Sequence, residues 1–356
     1  MDQKNKTRLA TKLKALSQIT TTQAFATSHS KTDLLNVTSD LLEEVDRIKC
    51  SIARTPAVAE LPVNATVDEI RHKRRTQATR VGKDVYLPIW KERMYVMPSW
   101  LLRSALFSVA RDVQKMWANE DTTPVLVVEE RIGTTNDISM TLSGYALCQF
   151  DRLVYSTCLN FYRENPLARD HTDPFVETSF YLFAGEMGRQ YGKNPHKAIK
   201  ASLTRLSMAQ IRLRGRRINL ELPKLLSVTF ENSGIKGNHK GADRIFFQIP
   251  SSVSELFGYG AWTAVDQDIA RFDDLKGWVG CFYASHSIER SLAITKLYEM
   301  SGYKSEPGNF KSGIKSALGK LQKTVKPLVE SYKWSEDKSE ITVKRTGWKS
   351  TQPPSE

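Results

Sequence analysis

The chain has 356 residues, 40% of them hydrophobic, enough for about two domains with a real core plus appendages. A net charge of +13 makes a polyanion the expected partner, either nucleic acid or an anionic membrane surface. No apolar leader follows Met1-Asp2-Gln3-Lys4, and no run approaches the ~18 apolar residues that span a bilayer, so a secreted or membrane-embedded protein is not expected.

Residues 1–80 are rich in Thr, Ser, Lys and Ala and hold a single aromatic, Phe25. Within them Leu34, Leu35, Leu41, Leu42, Val45, Ile48 and Ile52 recur at helical spacing. They predict an amphipathic helix over about 34–52 that packs on the body, pairs with a copy of itself or docks a partner. Pro56 and Pro62 follow, and then Arg71, Lys73, Arg74, Arg75 and Arg80, which read as a basic linker.

A first domain is expected over 81–257. Pro98 opens a helix carrying Leu101, Leu102, Ala105, Leu106 and Val109 as a stripe, and 125–128 and 138–142 read as strands. Helices are expected over 146–162, 180–187 and 195–208, the last with Asn194 as cap and Pro195 as first helical residue. Strands at 211–213, 218–222, 226–230 and 245–249 complete the domain. A second domain, 258–347, repeats the order: a long helix over 268–286, a short one over 292–300, a turn at Gly302-Tyr303, a helix capped by Asn309, and a hairpin of 325–334 with 339–344. Helix, short helix, turn, helix and hairpin is the winged-helix order. The expected fold is therefore α+β: two tandem winged-helix domains behind a partly disordered or helical N-terminal extension, with a short tail over 348–356.

Enzymatic constellations are lacking. Gly237-Asn238-His239-Lys240-Gly241 lacks the frame of a phosphate-binding loop, the six histidines form no HxH or HxxxH pair, and no serine stands in a GxSxG context. Asp170, Asp173, Asp273 and Asp274 are better explained as helix caps and solvated groups than as a metal site. Cys50, Cys148, Cys158 and Cys281 are far apart among apolar residues and read as buried free thiols. The chain is expected to be no enzyme and to need no cofactor.

Binding to duplex DNA is what the charge pattern supports. Between Glu186 and Glu221 there is no acidic residue, while the expected helix offers Lys197, Lys200, Thr204 and Arg205 on its outer face and the following strands offer Arg212, Arg214, Arg216 and Arg217. The second domain offers Asn309, Lys311, Ser312, Lys315, Ser316, Gln322 and Lys323 along its helix, with Lys338, Lys344 and Arg345 from its hairpin. Cations reach phosphates, and lysine and glutamine also read base edges in the major groove.

Met97-Pro98-Ser99-Trp100-Leu101-Leu102-Arg103-Ser104-Ala105-Leu106-Phe107 resembles the opening motif of TrfA-type plasmid replication initiators. The segments Leu142 to Cys148, Ser202 to Leu206, Ile249 to Phe257 and Trp278 to Ser285 are also similar to that family, so the likeness covers about 95–345. The resemblance implies binding to origin repeats (iterons), opening of an adjacent A·T-rich segment, and recruitment of the host initiator DnaA and the replicative helicase in the bacterial cytoplasm. It further implies a first domain that mediates dimerisation and a second that makes most base contacts. Some members also carry a sliding-clamp motif, to which Gln23-Ala24-Phe25 is the nearest counterpart here. A transcriptional repressor of the same fold is the alternative, and a nuclease or strand-transfer enzyme a more distant one.

Overall fold

Tyr95, Val96 and Met97 are all buried, and the extended run around them forms the first strand, β1 (Met94–Pro98). The computed structural model describes residues 84–110, 126–134, 138–169, 173, 175–215, 218–231, 239–257 and 262–346. The expected helix over 34–52, the basic linker, Gln23-Ala24-Phe25, Arg216, Arg217 and the C-terminal tail lie outside these residues. Among the described residues no helix is long and apolar enough to cross a membrane.

The helix expected from Pro98 to Val109 is only one turn, α1 (Ser99–Leu102), followed by a turn and the short strand β2 (Phe107–Ser108). Ser104 explains the stop. Its hydroxyl donates to the Leu101 carbonyl and accepts from the Leu106 N–H, a local alternative to continued helix. Strands β3 (Leu126–Ile132) and β4 (Ile138–Tyr145) form a hairpin, and β5 (Leu147–Cys148) runs parallel to β2. Helix α2 (Gln149–Phe161) starts where the Cys148 N–H meets the Asp151 carboxylate at 2.8 Å, and it buries Leu153, Val154, Tyr155, Cys158 and Leu159.

Next come β6 (Val176–Ser179), α3 (Phe180–Glu186) and α4 (Lys193–Ser207). Strands β7 (Gln210–Gly215), β8 (Ile218–Leu222), β9 (Ser227–Phe230) and β10 (Arg244–Gln248) follow, then a 3-10 helix over Ser251–Phe257. They make two sheets, β3-β4-β7-β8 and β6-β10-β9, and α4 packs against α2, α3, β4 and β9.

After β11 (Trp262–Asp266) the expected long helix is broken into α5 (Gln267–Ala270) and α6 (Asp274–Ala284). The break has a cause in the first half of the chain: Arg152 Nη2 takes the carbonyls of Ala270 and Phe272 at 2.8 and 3.1 Å. Strand β12 (Glu289–Ala293) follows, then α7 (Ile294–Ser301), α8 (Pro307–Gln322), β13 (Val329–Trp334) and β14 (Glu340–Arg345). The sheet order is β12-β14-β13. Helix α7 ends on Gly302 at φ 65, the left-handed conformation that glycine adopts without penalty.

Strands β1 and β11 pair antiparallel, Tyr95 opposite Val265, so this ribbon crosses the boundary expected at 257/258. Around it the two halves are tied together. Tyr95 Oη donates to the Glu186 carbonyl, Arg271 Nη2 donates to the same carbonyl at 2.9 Å, and Arg189 pairs with Asp273 at 2.5 Å. Gly188, at φ 68, passes so close to the Arg271 guanidinium that a Cβ there would lie 2.4 Å from it. One continuous apolar core runs from Leu87 to Val343, and Cys148, Cys158 and Cys281 are free thiols buried in the body.

Candidate nucleic-acid interface

Helix α4 buries Ile199, Leu203 and Leu206 and turns Lys193, Asn194, Lys200 and Thr204 outward, with Lys197 partly exposed. It begins two residues before the expected Pro195, with Gly192 rather than Asn194 at the cap. Pro195 still falls in the first turn, where its missing N–H leaves no hydrogen bond broken. His196 anchors this end. Its ring stacks on Phe180 at 3.6 Å, its Nδ1 meets Tyr191 Oη at 3.1 Å, and burial, with the neighbouring His239, pushes its pKa down to about 4. The helix holds no acidic residue, so its lysines and the amide dipoles of its first turn give one positive surface. The Lys200 ammonium lies 5.2 Å from the centre of the Phe230 ring, and the Thr204 hydroxyl donates to the Lys200 carbonyl.

Arg205 is not part of that surface, which corrects the expectation. It is 2% exposed and grips Asp151, itself 0% exposed, with Nη2 at 2.5 Å and Nε at 3.1 Å from Oδ1. Ser202 donates to the same oxygen at 2.6 Å. A carboxylate enclosed in the core demands a charged partner, and the side of α4 that faces α2 supplies it.

Arg212, on β7, is partly exposed but already engaged. It pairs with Glu221 on β8 at 3.1 Å and with Glu129 on β3, and these carboxylates hold its guanidinium more firmly protonated. Arg214, two residues on, is exposed and without a carboxylate partner among the described residues.

Helix α8 presents the clearer face. Phe310, Ile314, Ala317, Leu318 and Leu321 are buried, while Asn309, Lys311, Ser312, Lys315, Ser316 and Lys323 are exposed. Asn309 is not the cap: Glu306 holds that position, Pro307 is the first helical residue, and Asn309 lies in the first turn. A Cβ added at Gly308 or Gly319 would meet nothing within 4 Å, so the face is open. Lys320, which is not among the expected contact residues, is exposed as well. It belongs to an acid-free stretch from Pro307 to Val329 with lysines at 311, 315, 320, 323 and 326, a signal that was present in the sequence.

Three further expected residues stand apart from this face. Gln322 donates its amide to the Glu330 carbonyl at 3.1 Å, and Lys344 pairs with the Glu330 carboxylate at 2.7 Å. Arg345 lies at the far end of β14. The hairpin tip instead offers Lys338 at φ 55, in a turn set by Asp337, whose carboxylate accepts from Ser335 Oγ at 2.6 Å and the Ser339 N–H at 3.1 Å. Those hydrogen bonds lower the Asp337 pKa to about 2.

No family model matches the chain, and no curated protein matches it. Among solved structures, domains 2 and 3 of RctB match with a TM-score of 0.43 and 10% identity, over 67% of this chain and 96% of that one. A second structure of RctB domains 2–3 gives 0.41 and 10%, over 66% and 96%. The Pi initiator protein in complex with iteron DNA gives 0.39 and 10%, over 56% and 94%. One of these neighbours is thus an initiator bound to its repeat DNA. At TM-scores below 0.5 the likeness carries no argument for this chain.

Proposed function

We propose that this chain is a non-enzymatic plasmid replication initiator that grips origin repeats with two winged helices. The observation that carries the reading is the paired arrangement of α4 and α8. Each is free of acidic residues in its exposed face, each follows a short helix and a turn, and each leads into a β-hairpin. In each copy a strand runs directly into the short helix, β6 into α3 and β12 into α7; β12 pairs with its own hairpin in the order β12-β14-β13, whereas β6 pairs with β10. Such a helix fits the major groove, with lysines on phosphates and short polar side chains toward base edges. We assign base reading to Asn309 through Lys323, and phosphate contact to Lys197, Lys200 and Arg214.

The further steps follow from the family resemblance alone: opening of an A·T-rich segment, recruitment of DnaA, helicase and sliding clamp, dimerisation through the first domain, and work in the bacterial cytoplasm. Binding energy from several cooperating protomers would supply the few kcal/mol that unstacking requires.

Footprinting on the DNA that flanks the gene tests the reading. Two recognition helices in successive major-groove faces cover about 20 bp. Protection of several direct repeats of that length beside an A·T-rich stretch is the expected result, whereas protection of one palindrome would make the protein a repressor. If about six to ten phosphates are neutralised, affinity falls ~10³- to 10⁵-fold between 50 and 200 mM salt. Metal-dependent cleavage of the DNA would overturn the non-enzymatic part of the proposal.

A further inference from the structure

The opening motif of the sequence contains Arg103, which the proposed DNA contacts leave unused. Arg103 follows α1, is partly buried, and donates its Nε to Ser285 Oγ at 3.0 Å, at the C-terminal end of α6. Arg345 reaches the adjacent residue from another direction: its backbone N–H donates to the Ile288 carbonyl and its Nη1 lies 3.5 Å from the Ala284 carbonyl. Its Nε is buried with no hydrogen-bond partner among the described residues. Arg290 joins them from β12. In the register of that strand Arg290 stands opposite Val343, so it shares a sheet face with Val343 and Arg345.

His286 sits among these three groups, its Nδ1 2.8 Å from the Phe282 carbonyl. Burial first, and then the fields of Arg103, Arg290 and Arg345, push its pKa down to about 4. Glu289, the nearest carboxylate in sequence, stands opposite Lys344 on the other face of the strand. Among the described residues no ion pair neutralises Arg103, Arg290 or Arg345. A cation on the last carbonyls of a helix is ordinary. Three guanidiniums drawn from separate segments to one helix end, with no ion-pair partner among the described residues, repel one another, and a bound anion relieves that repulsion.

We propose that Arg103, Arg290 and Arg345, with His286 at their edge, form a binding site for a phosphate group. Planar guanidiniums match phosphate oxygens through paired, charge-assisted hydrogen bonds. The site is separate from the hairpin tip and uses none of the side chains assigned above to DNA contact. Along β14, Glu340 at the tip end and Arg345 lie about 17 Å apart at the ordinary strand rise. It therefore stands independently of the initiator reading.

Calorimetric titration of the full chain with inorganic pyrophosphate is the test. We expect saturable one-site binding, weakened at least about tenfold by Arg103→Gln with Arg290→Gln and unchanged by Lys311→Gln with Lys315→Gln. Arg290→Gln alone removes an exposed side chain that holds no hydrogen bond among the described residues, so a loss of affinity in that variant reads binding rather than folding. Duplex DNA separates the two sources of the phosphate. If a DNA phosphate fills the site, pyrophosphate competes with duplex and Arg290→Gln lowers the salt slope by about 1. If a small phosphate compound fills it, duplex affinity is the same with and without saturating pyrophosphate. Absence of saturable pyrophosphate binding, or a loss in the Lys311/Lys315 variant as large as in the arginine variant, overturns the proposal.

Discussion

Asp151 collects the Cys148 N–H, the Ser202 hydroxyl and the Arg205 guanidinium in a space closed to water. Removing one partner of such a pair leaves a buried charge uncompensated. Arg205→Met is therefore expected to lower unfolding free energy by about 3–5 kcal/mol in urea titration, with DNA affinity per folded molecule unchanged. A large loss of affinity at preserved stability would return Arg205 to the DNA surface. Nothing local marks Arg205 as structural: it stands in a run of cations, and its partner lies 54 positions earlier on another helix. Two histidines give a second residue-scale expectation. His196 and His286 have pKa values near 4 in the folded chain, below the ordinary 6.5. The unfolded chain therefore binds more protons between these values, so their stability contribution is complete above about pH 6.5 and falls away as pH drops toward 4. The melting temperature should decline across that window, and His286→Gln should flatten the decline.

Helix α8 is where the sequence was most readable, because an amphipathic helix with lysines on its outer face needs no distant partner to declare itself. Lys311→Glu with Lys315→Glu is expected to abolish specific binding while leaving the melting temperature within a few degrees, since both side chains are exposed. Lys344→Gln is expected to change affinity little, because Glu330 already holds that ammonium. Quantitative gel shifts at fixed salt check both, and persistence of specific binding at an unchanged salt slope in the first variant removes α8 from the interface. Other elements were not readable at this scale. Strand β12 begins Glu-Arg-Ser and is exposed along much of its length, so it has no apolar alternation to detect; only pairing to β14 makes it a strand. The helix expected over 268–286 has an unbroken apolar period, and the side chain that interrupts it, Arg152, comes from α2.

At the scale of the molecule, the two halves share one apolar core, and specific polar contacts fix how they meet. Arg152, 2% exposed, satisfies two carbonyls of the α5–α6 break, while Arg271 and Asp273 hold the turn that leads into α4. Arg152→Ala is expected to cost about 2–4 kcal/mol, the penalty for buried carbonyls left without donors. Calorimetry of the wild type should show one transition over the described body and that of the variant a lower or divided one; an unchanged profile would mean the seam couples nothing. Gly188 extends this consequence to the design of hybrids. Because Gly188 holds φ 68, where a side chain is strained, and a Cβ there would push the Arg271 guanidinium aside, a helix exchanged for α4 is best moved together with a glycine turn. That turn is held by Arg271 and Asp273 of the second half. Under the proposed function, new DNA specificity is thus more readily obtained by changing exposed side chains along α8 than by exchanging whole modules.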